Sequence, residues 1–298
     1  MNRPTLQQLA YFVALADERS FSRAADVSSV SQPALSAQLR ELESRLGVQL
    51  VERLPRDVRL TPAGAALLSH ARLVLTSVDE LVEIANTDDA MLHGPLVVGV
   101  IPTIAPYLLG SFVPLILQRL PGVELFIEEL QTKPLISALR SGQVDLALCA
   151  DPISSEALSV ARVGDDPLLV AFSQSHPLAS GTGAISLEEF ANLDVLLLND
   201  GHCLRDQTLS LCKEIRATTT DLRATSLPTL VQMVAAGVGV TLLPHMAAGV
   251  EARPGNGVMV RPLVGQPSRR IVLAWRSSTP RAAHYKDIAE LASSLLTA

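Results

Sequence analysis

The first sixty residues place apolar side chains at helical spacing in short blocks. Leu6, Leu9, Phe12, Val13 and Ala16 form one face of a predicted first helix. Ser20 is a predicted cap of a second, short helix carrying the small residues Ala24 and Ala25. Ser31-Gln32-Pro33 opens a third, with Ser31 as N-cap and proline in the first turn, where its missing N–H costs nothing. Leu35, Leu39, Leu42 and Leu46 make its buried stripe, and Gly47 is the predicted stop. The tight Asp26–Val30 connection between the second and third helices gives a helix-turn-helix pattern. Gln49–Arg53 and Val58–Leu60 read as a hairpin, a wing carrying Arg53, Arg56 and Arg59.

Thr61-Pro62 then starts a long helix. Gly64, Leu67, Ala71, Val74, Val78, Leu81 and Ala85 alternate spacings of three and four, the heptad period of a paired helix. Asn86 to Gly94 is a polar break and a predicted hinge. Beyond it, strands are predicted at Leu96–Ile101, Val123–Glu128, Val144–Cys149, Leu168–Phe172, Val195–Leu198, Val238–Leu243 and Ile271–Trp275. Helices are predicted at Pro106–Leu120, Pro134–Ser141, Leu204–Ile215, Leu227–Ala236 and Arg281–Leu296. This alternation predicts an α/β domain whose parallel sheet is covered by helices.

Composition adds a gradient to this picture. The 298 residues are 48% hydrophobic and 18% charged, with a net charge of −6, so the chain has ample material for folded cores. An acidic protein is a poor match to a phosphate backbone, but residues 1–72 hold nine arginines against seven acids, whereas the remainder holds 15 basic and 23 acidic residues. Only the N-terminal quarter is therefore suited to DNA. Ala90 to Gln118 lacks charges, yet Pro95, Pro102, Pro106 and Pro114 interrupt it, so no membrane span is expected. Met1 to Gln8 has no apolar leader core, and three cysteines do not make a secreted disulfide framework, so a cytoplasmic location is expected.

Two segments carry candidate chemistry. In a helix-turn-helix the second helix enters the major groove, and Ser31, Gln32, Pro33, Ser36, Gln38 and Arg40 are its predicted exposed residues. Glutamine pairs with adenine and arginine with guanine, while the wing arginines Arg53 and Arg56 suit phosphates. A plain three-helix interaction module is the alternative. The second segment is Asn199-Asp200-Gly201-His202-Cys203-Leu204-Arg205-Asp206-Gln207, followed by Cys212. With Asp200 as a predicted helix cap, Cys203 lies at a positive helix end beside His202 and Arg205, surroundings that favour a reactive thiolate. Cys212 is then a candidate resolving thiol for a sulfenic acid on Cys203. Two unrelated cysteines are the alternative; a zinc site lacks the usual Cys-x-x-Cys or His-x-x-x-His spacing, so no metal and no cofactor are expected. Cys149 and Trp275 are expected in cores, and Gly237-Val238-Gly239 lacks the third glycine of a dinucleotide fingerprint.

Four blocks in order carry a resemblance: Ser20-Phe21-Ser22-Arg23-Ala24-Ala25, Ser31-Gln32-Pro33-Ala34-Leu35-Ser36, Leu42-Glu43-Ser44-Arg45-Leu46-Gly47 and Leu60-Thr61-Pro62-Ala63-Gly64. Together they resemble the LysR-type transcriptional regulators. The resemblance implies a winged helix-turn-helix over residues 1–61, a dimerising linker helix and hinge over 62–93, and a regulatory domain over 94–298. That domain would have two lobes like a periplasmic binding protein, lobe I from 94–166 and 270–298, lobe II from 167–269. The Asp200–Gln207 segment with Cys212, Ile101-Pro102-Thr103, Pro106-Tyr107-Leu108-Leu109, Arg223-Ala224-Thr225-Ser226-Leu227 and Met233-Val234-Ala235-Ala236-Gly237 are similar to the peroxide-sensing members of that family. This implies a peroxidatic Cys203, a resolving Cys212, and a peroxide site drawn from Thr103, Thr132, His202, Arg205, Asp206 and Arg269. Its implied partners are double-stranded DNA, hydrogen peroxide, RNA polymerase, a thiol reductant and further copies of the chain, as a homodimer assembling to a homotetramer. Val238 departs from those members, which commonly have serine between the two glycines. The alternatives are a regulator that binds a small organic acid in a cleft lined by Thr103, Thr132 and Ser226, and a peroxide-consuming enzyme, against which the DNA-binding N-terminus argues.

Overall fold

The structure, a computed structural model, describes residues 3–54, 57–85, 92–153 and 156–296. The chain divides into two compact units, one up to residue 90 and one from residue 91 onward except for 141–143.

The first unit holds three helices, α1 (Leu6–Glu18), α2 (Phe21–Val27) and α3 (Gln32–Leu46), then a hairpin of β1 (Val51–Leu54) and β2 (Asp57–Leu60), and the long α4 (Pro62–Ala85). The local signals act where the sequence puts them. Thr5 and Gln8 cap α1 reciprocally, Ser20 caps α2, Ser31 caps α3, and Gly47 ends α3 in the left-handed region at φ 69°. Phe12, Leu15, Leu35, Leu39 and Leu42 are almost completely buried together, each stabilising the unit by roughly 2 kcal/mol. Glu43 accepts from the Leu50 and Val51 N–H groups at 2.8 and 3.3 Å, tying α3 to the hairpin. Gly64 makes the next junction: a Cβ there would stand 2.0 Å from the Leu50 carbonyl oxygen. The heptad seam of α4 is divided. Ala71 and Leu67 pack on the unit's own core, whereas Val74 and Leu81 are 43% and 66% exposed.

The second unit opens with β3 (Gly94–Val100), α5 (Ala105–Arg119), β4 (Val123–Glu129), α6 (Thr132–Arg140) and β5 (Leu146–Ala150). Next come β6 (Leu158–Ser173), α7 (Leu187–Ala191), β7 (Val195–Leu198), α8 (Cys203–Ile215), β8 (Thr219–Ala224), α9 (Leu227–Ala235), β9 (Thr241–Pro244), α10 (His245–Glu251) and β10 (Val258–Pro262). It closes with β11 (Ser268–Arg276) and α11 (Ala282–Ser294). β3 pairs in parallel with β4 and β5, and β7 in parallel with β8. The parallel sheet expected for residues 96–149 is thus present, but the remaining ladders of this unit are antiparallel, which corrects the expectation that the same pattern continues: β11 pairs with both β5 and β6, and β6 also with β9 and β10. The reason lies in the path of the chain. β6 carries it out of one core and β11 brings it back, so the two run in opposite directions side by side. The sequence pattern showed only the last third of β6, because its first ten residues alternate with polar ones.

Two cores result. One gathers β3, β5, the first part of β6, β11, α5, α6 and α11 around Trp275, Phe112 and Tyr285. The other gathers the second part of β6, β7, β9 and α9 around Phe172 and Phe190. They are called lobe I and lobe II below. Among the described residues no helix is long and apolar enough to cross a membrane.

Candidate functional site: a split pair of thiols and a recognition helix

α8 starts at Cys203, and its N-cap is His202, not Asp200. Asp200 lies two residues before the cap position and is instead 77% exposed, with its carboxylate 3.0 Å from Arg205 and 3.6 Å from Arg223. Gly201 makes the turn between them at φ 99°, where a Cβ would stand 2.4 Å from Gln131 Oε1. Glycine thus supplies both the backbone angle and the space. His202 is buried, with Nε2 3.2 Å from the Thr225 carbonyl oxygen and 3.3 Å from Gln131 Nε2. Burial lowers its pKa below the ordinary histidine value, opposed by the Thr225 carbonyl, so the ring is neutral at neutral pH.

Cys203 is partly exposed and packs against the lobe I core, whereas Cys212 is buried in the lobe II core. Both are free thiols on one unbroken helix. Nine helical steps separate their Cα atoms by ~13.5 Å, while a disulfide needs about 4.4–6.8 Å. Burial pushes the Cys212 thiol upward in pKa, so it stays protonated. Gln207, one turn after Cys203, donates to the Asp151 carbonyl at 3.0 Å and so fastens the first half of α8 to the end of β5. Cys149 on that strand is buried, and its thiol is pushed upward by burial, then by Cys203 and Asp151, as expected for a core residue.

The other named positions fall into three groups. Thr103 and Arg269 are buried together: the guanidinium donates to Thr103 Oγ1 at 2.8 Å and to its carbonyl at 2.9 Å, and pairs with Asp166 at 2.9 Å. Thr132 follows Gln131 at the start of α6, with its buried hydroxyl unpartnered. Arg205 turns to Asp200 and Asp206, and Asp206 is 72% exposed, so the pair faces solvent-side acids. Ser226 caps α9, accepting from Thr229. Val238, 41% exposed, stands where a hydroxyl was in question. Gly201 and Gln207 were expected only as parts of the candidate segment, with no role of their own, and Asp166 was not singled out in the sequence. Asp166 gave no signal there, since its partner lies about a hundred residues away.

On the DNA-facing candidate, Ser31, Gln32, Pro33 and Arg40 are exposed on α3. Gln32 Oε1 accepts from Ser22 at 3.0 Å, and Gln38 Oε1 from Gln8 at 3.1 Å. These contacts hold each amide oxygen in place. Ser36 is half-buried. Arg53 lies in β1, and Arg56 lies outside the described residues.

A winged helix-turn-helix, a long helix and a two-lobed α/β unit together define a signal-responsive bacterial transcription regulator. Residues 6–65 match the bacterial regulatory helix-turn-helix protein model of the lysR family, and residues 89–296 match the LysR substrate binding domain. The chain belongs to the LysR family. It is 43% identical over 287 residues to the DNA-binding transcriptional dual regulator OxyR of Escherichia coli, covering 96% of this chain and 93% of that one. It is 40% identical to the probable hydrogen peroxide-inducible genes activator of Mycobacterium avium, over 99% of this chain and 95% of that one. Among solved structures, a full-length OxyR variant of Pseudomonas aeruginosa superposes with a TM-score of 0.85 at 36% identity, over 97% and 95% of the two chains. The oxidised OxyR of Corynebacterium glutamicum does so at 0.61 and 39% identity, over 99% and 93%.

Proposed function

We propose that this chain is a DNA-binding transcription regulator switched by hydrogen peroxide, with Cys203 as the attacking thiol and Cys212 as the resolving one. The observation that carries the reading is the split pair: a reachable thiol docked on lobe I and a buried, protonated thiol in lobe II, on one helix too long between them to be bridged. The sulfur of Cys203 attacks one peroxide oxygen, the O–O bond breaks, and a sulfenic acid and one water form. The sulfur of Cys212 then attacks the Cys203 sulfur; the S–S bond forms, the S–O bond breaks, and the hydroxyl leaves with the thiol proton as a second water. Peroxide gains two electrons and the dithiol loses two. An external thiol reductant restores the pair. Thr103 with Arg269, Thr132 and His202 surround the peroxide in this reading; Arg205 and Asp206 act through the Asp200 network.

Because the bond cannot close on an intact α8, oxidation must unwind it. Leu204, buried beside Cys203, then loses its packing, and the change passes to further copies of the chain. Residues 1–61 read DNA, 62–93 pair two chains, and 94–298 sense peroxide; dimers assemble to tetramers and engage RNA polymerase in the cytoplasm. The organic-acid alternative is less well supported, since the charge of Arg269 is already met by Asp166. Thiol titration tests the reading. Three free thiols per reduced chain should fall to one after brief peroxide, with a Cys203–Cys212 peptide pair in the mass spectrum. Three thiols after peroxide would sink it, and sustained peroxide consumption with a reductant would make the chain an enzyme instead.

A further inference from the structure

Tyr107 and Glu251 have no part in the chemistry above, yet they make a half-buried bond between the lobes. Tyr107 sits in the first turn of α5, three residues after Ile104, and its N–H donates to the Ile104 carbonyl at 3.0 Å. Its ring packs against the lobe II core. Its hydroxyl donates to Glu251 Oε1 at 2.7 Å, and Glu251, the last residue of α10, is only 8% exposed. At the other end of α10 the Met246 N–H donates to Asp166 Oδ1 at 3.0 Å. Asp166 holds Arg269 through its other oxygen, and Arg269 holds the Thr103 hydroxyl. The contacts close on themselves: Thr103, Arg269, Asp166, α10, Glu251, Tyr107, and through the Ile104 carbonyl back to the Thr103 turn.

We propose that Tyr107 and Glu251 are positioning residues for the thiol site, which clamp α10 onto α5 and thereby fix the direction of the Thr103 hydroxyl and the Arg269 fork. The inference rests on the peroxide reading and adds to it the far half of the ring. A hydroxyl can guide an attacking peroxide only if its own donors and acceptors are fixed. Arg269 occupies one lone pair of Thr103 Oγ1, and so directs the remaining O–H. Arg269 is oriented by Asp166, Asp166 is shared with the first turn of α10, and the Tyr107–Glu251 hydrogen bond ties the last turn of that seven-residue helix to α5 of lobe I.

The test compares two reactions of Cys203 in the full-length reduced protein: oxidation by hydrogen peroxide, which needs the fixed hydroxyl, and alkylation by iodoacetamide, which needs only access to the sulfur. Tyr107→Phe keeps the ring and its packing. It should slow peroxide oxidation about three- to tenfold, the scale of one neutral hydrogen bond, and leave alkylation unchanged. Glu251→Gln keeps an acceptor oxygen and should stay near the parent rate, whereas Glu251→Ala should match Tyr107→Phe and serves in its place if that variant does not fold. A parent-like peroxide rate in Tyr107→Phe and Glu251→Ala overturns the inference, as does an equal change in both reactions, which marks general loosening. An unmodified chain whose Cys203 ignores peroxide while iodoacetamide still labels it overturns the peroxide reading, and this inference with it.

Discussion

At the scale of single residues, the division of labour proposed for the thiols rests on burial. Cys203 lies at the first position of α8 with part of its surface open, and Cys212 is shut in an apolar core. Cys203→Ser should therefore remove disulfide formation altogether, while Cys212→Ser should leave a sulfenic acid on Cys203, open to further oxidation. Mass spectrometry after a short exposure to peroxide reads both; oxidation of Cys212 in Cys203→Ser would reverse the roles. His202 gives a pH signature. Its folded pKa lies below the unfolded value of 6.5 because burial disfavours the charged ring. Below pH 6.5 the unfolded chain thus binds more protons than the folded one, so the contribution of the neutral ring is complete above 6.5 and fades as the solution is acidified through the folded pKa. The urea midpoint should fall between pH 7 and pH 5, and His202→Gln should flatten that fall. An unchanged slope would show that other groups set it.

Among the elements, α3 and the wing are expected to divide their work by what each can reach. Gln32 is exposed in the first turn of α3, with its amide oxygen steadied by Ser22, whereas Arg53 lies on the wing strand β1. Gln32→Ala should weaken binding to the specific site by about 1–3 kcal/mol and relax base preference. Arg53→Ala should weaken binding to specific and random DNA alike and reduce the salt slope by about one. Titrations of both DNAs at several salt concentrations decide this, and equal losses for both variants would refute the assignment. On α8 the two cysteines are held too far apart to bond, so in the proposed switch the helix must open before a disulfide can close.

For the whole molecule, the exposed half of the α4 seam is the surface on which the proposed pairing of two chains is tested. Val74 and Leu81 face solvent in the single chain, and a heptad seam is covered by a partner helix. Leu81→Asp should leave the fold of the chain intact and shift the protein toward monomers, lowering DNA affinity because two linked half-sites bind better than one. Sedimentation equilibrium together with footprinting measures both. A dimer as stable as the parent's would place the pairing surface elsewhere.

The local elements were legible in the sequence because their causes are local. Ser31, Pro33 and Gly47 mark α3 without help from any distant residue, and the three-and-four spacing of α4 is visible in one dimension. The helix that follows His202 was legible for the same reason, since the signals for its start are contiguous. What the sequence could not supply was pairing across the chain. The antiparallel return of β11 between β5 and β6 depends on strands more than a hundred residues apart. Asp166 shows no significance until it meets Arg269, and Asp200 resembled a cap until the backbone placed that role at His202. Composition and periodicity fix which segments are helices, strands and turns, because those follow from interactions within a few residues. The placement of Cys203 on one core and Cys212 in the other was decided only by tertiary structure, because burial is a property of what packs around a residue.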